Sequence, residues 1–308
     1  MAKINGVHHI AIGVKDLEVM TRFYRDILGF QNTIAEIEES EKEVMREPVR
    51  AASVIFSGAL LGKEDGGIII ELIKMTTPAP RPIRKKTLYG DIGLAKVVIR
   101  VPDVNLYYLN NKDKIPFCSE PKTVKIPKLG DYHFVYCQDP EGNLIEFAAL
   151  PDTEQIDKHS SLSWVGISVS DLERSLRFYQ NMLGLDLLLR PFQEFSGLVD
   201  DVAGYSGTRV RSCLLGRKGK AGGTCMVELF EMLELRGRSI PFGRRWGDYG
   251  YLQTCFSHED VSAAAAHFAE ENVELLCELK KMEDGGEFIY LQDPDGILME
   301  CLYLPTPT

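Results

Sequence analysis

The sequence is organised by an internal repeat of one strand-and-helix pattern. Residues 7–16 alternate apolar and polar side chains, as a half-buried strand does, and residues 17–29 change to helical spacing. The pattern returns at residues 164–184. It keeps three residue types at a separation of 155 positions: Asp16 and Asp171, Tyr24 and Tyr179, and Gly29 and Gly184. Because such a repeat is the signature of a duplicated structural unit, it restricts the chain to folds built from copies of that unit.

The composition indicates a globular chain with room for two domains. Its 308 residues are 44% hydrophobic and 26% charged. The formal net charge of −10 argues against nucleic acid as the main partner, because phosphate binding needs a basic surface. The sequence contains no apolar run of roughly 18 residues, so we expect no membrane span. The first residues also lack the apolar segment of a signal peptide.

The seven cysteines include no Cys-x-x-Cys pair, and several lie inside apolar runs, where a thiol behaves as a small hydrophobic group. An odd number of cysteines without an export signal predicts a cytoplasmic protein with reduced thiols.

The repeat extends to four units rather than two. Each quarter of the chain is predicted to fold as β-α-β-β-β, with one acidic residue in its last strand. These acids are Glu71, Glu146, Glu228 and Glu300. Strands are predicted at 51–56, 68–73, 94–101, 132–137, 144–147, 225–230, 252–256 and 298–300, with helices at 104–111, 171–183 and 261–270. Glycine pairs at 66–67 and 222–223 mark turns. A polar segment at 151–160 without periodicity divides the chain into predicted domains at 1–152 and 160–308.

Four motifs carry a resemblance to a known family. They are His-x-Ala-x-x-Val-x-Asp at 9–16, Phe-Tyr-x-x-x-Leu-Gly at 23–29, and Asp-Pro-x-Gly-x-x-x-Glu at 139–146 and 293–300. Together they resemble the vicinal oxygen chelate superfamily, which includes glyoxalase I, bleomycin resistance proteins and extradiol dioxygenases. The resemblance covers nearly the whole chain. It implies an α+β fold, in which four βαβββ units form two glyoxalase-like domains with curled mixed sheets around clefts.

In this superfamily the first and last strands of each unit direct metal ligands into the cleft. Carried over position by position, the resemblance assigns eight candidate positions, two to each unit: His9 and Glu71, Lys96 and Glu146, Trp164 and Glu228, and Gln253 and Glu300. Lys96 and Trp164 depart from the family pattern, so we expect that at least one ancestral metal site is lost.

The family pairs its units in two ways, and charge favours one of them here. If neighbouring units pair, Glu228 and Glu300 face one another without a cation, which close carboxylates tolerate poorly. If the first unit pairs with the fourth, His9, Glu71, Gln253 and Glu300 share one cleft, a donor set that suits a divalent metal. The second unit then pairs with the third, and Lys96 lies between two carboxylates as a substitute for the metal's charge. We therefore favour this swapped pairing.

Several of these residues also have ordinary structural explanations. Acids inside apolar strands need a partner, which can be a metal, Lys96 or solvent. Lys96 is better explained as a structural ion pair than as a Schiff-base nucleophile, and Trp164 is expected to fill the space of a metal. Tyr136 and Tyr290 either support the ligands or pack beside the Asp-Pro turns. The basic connectors at 81–86 and 236–245 either clamp an anionic substrate at the cleft rim or are solvated loops.

Three functions follow from the resemblance. The first is a metal-dependent lyase or isomerase of the glyoxalase type, which binds two adjacent substrate oxygens to one divalent metal (Zn, Ni, Co, Mn or Fe) and stabilises an enediolate. Glu300 would be the base, and Glu71 a ligand or proton shuttle. The second is an extradiol dioxygenase, against which the absence of both expected histidines in the second half counts heavily. The third is a binding protein without catalysis. Each would take a small molecule and act as a monomer or homodimer, with specificity expected in loops at 36–50 and 192–205.

Overall fold

A computed structural model describes residues 4–64, 66–84, 86–127, 130–149, 162–217, 226–240 and 243–305. The predicted domain boundary at 151–160 and the glycine turn at 222–223 lie outside these residues. No helix within the described ranges is both long and apolar enough to cross a membrane. The six cysteines within these ranges are free thiols.

The described residues form sixteen strands. In chain order they are β1 (Ile4–Gly13), β2 (Asn32–Glu41), β3 (Ile55–Gly62), β4 (Ile69–Thr77), β5 (Gly93–Arg100), β6 (Lys122–Ile126), β7 (Gly130–Gln138), β8 (Leu144–Ala149), β9 (Leu162–Ser168), β10 (Leu187–Ser196), β11 (Arg209–Gly216), β12 (Val227–Met232), β13 (Gly250–His258), β14 (Lys280–Lys281), β15 (Glu287–Gln292) and β16 (Leu298–Tyr303).

Helices are fewer than the strands. They are α1 (Leu17–Arg22), α2 (Arg46–Val49), α3 (Val104–Asn111), α4 (Leu172–Leu183), α5 (Asp200–Ala203) and α6 (Val261–Glu270). A π-helical turn at Phe23–Ile27 continues α1, and a 3₁₀ turn at Glu43–Met45 precedes α2.

The strands form two mixed sheets of eight, and each sheet combines one unit from each half of the chain. The first sheet has the order β14-β15-β16-β13-β1-β4-β3-β2, and the second has the order β10-β11-β12-β9-β5-β8-β7-β6. The two units of a sheet meet through antiparallel pairs, β1 with β13 and β5 with β9. The first unit therefore pairs with the fourth and the second with the third, which confirms the swapped pairing that charge favours.

The repeated aspartate begins a helix in every unit. The side chains of Asp16, Asp103, Asp171 and Asp260 each accept a hydrogen bond from the backbone N–H three residues later, at the start of α1, α3, α4 and α6. An aspartate at this position satisfies an N–H group that the helix leaves unpaired. The repeat in the sequence therefore reflects one local requirement, the start of the helix that follows the first strand.

Alternation along the strands separates three apolar cores. The largest core contains one face of both sheets together with helix residues such as Tyr24 and Tyr179. The opposite face of each sheet has a smaller cluster of its own. In β5, for example, Val97 and Ile99 belong to the central core and Val98 to the smaller cluster. The two smaller clusters are the apolar parts of the two clefts.

The Asp-Pro turns hold the two sheets together. Asp139 accepts backbone hydrogen bonds within its own turn and a further one, of 3.1 Å, from the hydroxyl of Tyr24 in the other sheet's first unit. Asp293 does the same with Tyr179 at 3.2 Å. The two repeated tyrosines, Tyr24 and Tyr179, are thus partners of the aspartates in the Asp-Pro turns. Each pair joins the two units of one half of the chain.

Three parts of the sequence prediction need correction. The strand predicted at 51–56 begins only at Ile55 and continues to Gly62. The specificity loops predicted at 36–50 and 192–205 are largely regular, because their first residues belong to β2 and β10 and α2 and α5 follow. Nearly every residue of β2 is exposed, so it lacks the apolar alternation by which a strand is recognised.

We predict that Asp293→Asn flattens the pH dependence of stability. Burial raises the pKa of Asp293 to about 7, so the folded protein binds a proton there that the unfolded chain releases at lower pH. Stability contributed by this group should therefore fall as the pH rises from about 4 to about 7. Thermal unfolding between pH 4 and 8 measures this. The decrease of melting temperature with pH should be less steep in Asp293→Asn than in the wild type, and it should be unchanged in Asp113→Asn, an exposed control. The same pH dependence in all three proteins would contradict the prediction.

Candidate metal centre

Four strands of the first sheet bring one side chain each into the same cleft. His9 lies on β1, Glu71 on β4, Gln253 on β13 and Glu300 on β16, and these four strands are adjacent in the sheet. The His9 Nε2 atom is 3.2 Å from Oε2 of Glu71 and 3.3 Å from Oε2 of Glu300. The Gln253 Nε2 atom is 2.5 Å from Oε2 of Glu300 and 3.5 Å from the same His9 nitrogen. The four side chains predicted as metal ligands therefore converge; we call them the first cluster.

The amide of Gln253 is fully buried and only partly satisfied. Its Nε2 atom donates to Glu300 and lies 3.4 Å from the hydroxyl of Tyr290, while its Oε1 atom has no hydrogen-bond partner among the described residues. A buried carbonyl oxygen without a partner is costly. Rotation about the last side-chain torsion exchanges the two atoms, so this amide has an unused oxygen to offer to a cation.

His9 is held by a second histidine through its other ring nitrogen. The Nδ1 atoms of His8 and His9 are 2.9 Å apart. Burial and the nearby His9 lower the pKa of His8 to about 4, so His8 is neutral and its Nδ1 atom can accept a hydrogen bond from the N–H of His9. Burial opposes the charged form of His9, but Cys255, Glu71 and Glu300 together raise its pKa well above the usual value.

The first cluster has more negative than positive charge. Among the described residues, the ion-pair partner of Glu71 and of Glu300 is the imidazole of His9, and neither carboxylate forms an ion pair with a lysine or arginine. His9 and Glu300 are buried, with side-chain exposures of 6% and 8%, and Glu71 is 13% exposed. Even with His9 protonated, two carboxylates share one positive charge in a poorly solvated place. A divalent cation would correct this imbalance.

The equivalent positions of the second sheet form a second cluster that neutralises itself. Lys96 Nζ lies 2.5 Å from Oε2 of Glu146 and 3.0 Å from Oε2 of Glu228. Arg190 Nη2 binds the other oxygen of Glu228 at 2.7 Å. Trp164 Nε1 approaches Glu228 at 3.4 Å. Two cations therefore balance two carboxylates, and Lys96 lies between the acids as the swapped pairing predicts.

The surroundings of Lys96 suit a buried ammonium group. Burial opposes its charge, but Glu146 and Glu228 raise its pKa well above the usual value, so it stays protonated. The rings of Tyr89, Tyr136 and Phe230 lie 5.6 to 5.7 Å from Nζ, within the range of cation–π attraction.

The side-chain stem of Lys96 also explains a glycine on the neighbouring strand. A Cβ atom at Gly166 would lie 2.6 Å from the Cγ and Cε atoms of Lys96. The glycine therefore makes room for the lysine.

The sequence prediction missed three participants in these clusters. Arg190 comes from the edge strand β10, for which the sequence has no recognisable pattern. Tyr132 donates a hydrogen bond to Glu146. Cys255 faces the first cluster, where its Sγ lies within 4.8 Å of nitrogen atoms of His8 and His9. Its position two residues after Gln253 on the same strand is the signal that could have identified it.

One arginine of each basic connector has a structural partner, and neither of these two arginines belongs to the first or the second cluster. Arg81 binds Asp248 at 2.7 Å, and Arg238 binds Asp91 at 2.7 Å. Each arginine belongs to the connector of one half, and its aspartate precedes a strand of the other half. These two ion pairs tie the halves together at equivalent places, so a substrate clamp is not their main role.

Comparison with known proteins identifies one family across the chain. The family model of the Glyoxalase/Bleomycin resistance protein/Dioxygenase superfamily matches residues 6–147 and again residues 161–301. The two matches coincide with the two halves of the internal repeat. A comparison with curated proteins finds no match.

Solved structures share the fold at low sequence identity. Glyoxalase I from Zea mays has a TM-score of 0.60 and 20% identity, with 97% of this chain and 92% of that chain covered. A single-residue mutant of the same enzyme has a TM-score of 0.62 and 21% identity, with the same coverage. A candidate dioxygenase from Bacillus subtilis has a TM-score of 0.61 and 15% identity, with 99% of this chain and 87% of that chain covered. At these identities the similarity establishes the fold and not the reaction.

We predict that Lys96→Met destabilises the protein by about 3–5 kcal/mol, because it leaves Glu146 buried without a cation. Adding Glu146→Gln should recover most of this loss, since Arg190 still neutralises Glu228. Urea unfolding measures both variants against Lys125→Met, an exposed control expected to change stability by less than about 0.5 kcal/mol. A loss in Lys96→Met no larger than the control's would show that Lys96 does not neutralise this cluster.

Proposed function

We propose that this chain, which belongs to the Glyoxalase/Bleomycin resistance protein/Dioxygenase superfamily, is a metal-dependent lyase or isomerase of the glyoxalase type. Its substrate would be a small molecule with two adjacent oxygens and a removable proton on the carbon beside them. The ligands of the metal would be His9, Glu71, Gln253 and Glu300, and the site in the second sheet would be inactive.

The observation that carries this proposal is the contrast in charge between the two clusters. They occupy equivalent positions in the two sheets, and each contains two glutamates from the last strands of its units. In the second cluster Lys96 and Arg190 replace the charge of a divalent ion. The first cluster has no such replacement among the described residues, and the buried Oε1 atom of Gln253 is without a partner. A set of imidazole, amide and carboxylate donors accepts several first-row metals, so Zn, Ni, Co, Mn and Fe are all candidates.

When bound, a divalent metal would polarise two adjacent substrate oxygens and stabilise the negative charge of an enediolate. The side chains of the cluster would then divide the work of proton transfer. By analogy with the family, Glu300 would accept the proton from the substrate carbon; its Oε2 atom lies next to both His9 and Gln253. Glu71 would remain a ligand or return the proton to the neighbouring carbon, from the opposite side of His9.

The rest of the cleft would exclude water and orient the substrate. The apolar cluster on this face of the sheet includes Phe56, Leu252 and Trp246. The rings of Phe56 and Trp246 have centroids 5.0 Å apart. The Nε1 atom of Trp246 is buried and has no hydrogen-bond partner among the described residues, so it can donate to a substrate oxygen. A dry, apolar wall strengthens the electrostatic interactions on which proton abstraction from carbon depends.

We predict close to one divalent metal per chain in the purified protein, measured by elemental analysis. Glu300→Gln and Gln253→Ala should each lower the bound metal by at least about tenfold at equal free metal concentration, because each removes a ligand. Glu146→Gln is the matched control: the same change at the equivalent position of the second cluster should leave the metal content unchanged. Metal-free wild-type protein under these conditions would favour the binding-protein alternative.

We also predict that the metal-loaded protein catalyses proton exchange in deuterated water. Proton NMR would follow the C–H beside the carbonyl in a panel of α-hydroxyketones and thiol hemithioacetals of methylglyoxal. Glu300→Gln should slow the exchange by about 10²–10⁴-fold, as expected for loss of a general base, and Glu146→Gln should exchange at the wild-type rate. Oxygen consumption with catechols by the iron-loaded protein, without proton exchange, would instead establish a dioxygenase.

A further inference from the structure

We infer that a cavity between the two sheets binds the carboxylate or phosphate group of a small anionic molecule through Arg244. The cavity has a volume of about 250 Å³, and we call it the seam cavity. Its walls come from both basic connectors, from the first residues of β5 and β13, and from the turn before β8. This site is separate from the proposed metal centre.

Arg244 is the reason to expect an anion. Its side chain is buried, with 9% exposure, and it lines the seam cavity. Two of its three guanidinium nitrogens, Nε and Nη2, are buried and have no hydrogen-bond partner among the described residues. No carboxylate among those residues lies within ion-pair distance of it. A buried charge without a partner is strongly unfavourable, and a bound anion would offset the cost of burying Arg244.

The charges around the seam cavity support the same conclusion. Its cationic side chains are Lys15, Arg84, Lys86 and Arg244, and its acids are Asp91 and Glu141. Both acids are already occupied. Asp91 accepts two hydrogen bonds from Arg238, and Glu141 accepts two from backbone N–H groups. The walls therefore have an excess of positive charge.

Arg84 places a second, mostly buried positive charge near Arg244. Its side chain is only 9% exposed, and burial lowers its pKa although Asp91, 3.7 Å away, acts in the opposite direction. Burial also lowers the pKa of Arg244, to about 9; the charge of Asp248 opposes this shift, and the positive charge of Arg84 adds to it. An anion between these guanidinium groups would relieve both the burial and the repulsion.

The seam cavity lies on the other face of the sheet from the first cluster. Leu94 and Tyr251 line it, and both belong to the central core between the sheets. Leu252 and Cys255, on the same strand as Gln253, belong to the cleft instead. An anion in the seam cavity would therefore contact neither the cleft nor the metal ligands.

The shape of the guanidinium group defines the ligand chemistry. A planar arginine with free N–H groups matches two oxygens of one carboxylate or phosphate, and it binds such groups more specifically than an ammonium does. The volume admits a small metabolite and excludes a polymer. The neighbouring Gln138 and Asn143 side chains add polar groups for the remainder of such a molecule.

Titration of the full-length protein with inorganic phosphate and with succinate tests this inference, by calorimetry and by thermal unfolding at a constant ionic strength set with chloride. We expect one or both anions to raise the melting temperature and to bind the wild-type protein. The anion that binds more tightly identifies the ligand as a phosphate or a carboxylate.

Four variants locate the binding. Arg244→Gln should bind the anion at least about tenfold more weakly and should be no less stable without it, since it removes an unpaired buried charge. Lys86→Gln, at an exposed wall position, should weaken binding by a smaller factor. Arg236→Gln, an exposed change in the same connector, and Glu300→Gln, in the proposed metal centre, should bind as the wild type does. The inference is wrong if neither anion acts beyond chloride, if Arg244→Gln and Lys86→Gln both bind like wild type, or if only Glu300→Gln loses binding.

Discussion

The need to neutralise a buried or nearly buried glutamate in the last strand of each unit governs this structure. Glu71, Glu146, Glu228 and Glu300 occupy equivalent strands, and each sheet brings two of them to the same cleft. Two carboxylates in a poorly solvated space require a cation or an uptake of protons. The pairing of the units decides which other side chains reach them. Because the first unit pairs with the fourth, the lysine and the histidine are placed in different clefts, and each cleft meets the requirement in its own way.

The second cleft meets it with protein side chains, and this explains several features that otherwise look unrelated. Lys96 has space for its stem because Gly166 has no side chain. Its positive charge is balanced by Glu146 and Glu228 on either side. Arg190 then makes the cluster neutral. A cleft neutralised in this way has no electrostatic reason to bind a metal. The first cleft keeps the imidazole, the amide and both acids, so the duplicated fold has one cleft neutralised by its own side chains and one in which the acids outnumber the cations.

Much of this arrangement follows from the sequence, and the exceptions lie towards the outer ends of the two sheets. The central strands alternate in polarity because one face packs in the core, so the pattern locates them and, through charge, their pairing. The pattern does not locate the four edge strands β2, β6, β10 and β14, nor β11 and β15, which lie next to two of them. β2 is exposed at nearly every position and β14 has only two residues. Arg190 was missed for this reason, since it reaches Glu228 from an edge strand. A contact cannot be predicted when the strand that supplies one of its two residues is not predicted, even if the other residue is placed correctly.

The connectors show how the same residue type serves two purposes in a duplicated fold. Arg81 and Arg238 occupy equivalent places, and each binds an aspartate of the other half, so the pseudo-symmetry of the chain satisfies both charges. Arg84 and Arg244 do not form such an equivalent pair of close ion pairs between the halves. Arg84 reaches Asp91 only at 3.7 Å, and Arg244 forms no ion pair among the described residues, where Asp248 acts on it only from a greater distance. Purely structural arginines would be expected to follow the symmetry that satisfies the first pair. The departure from symmetry therefore marks the place between the sheets where the fold has positive charge left over for a ligand.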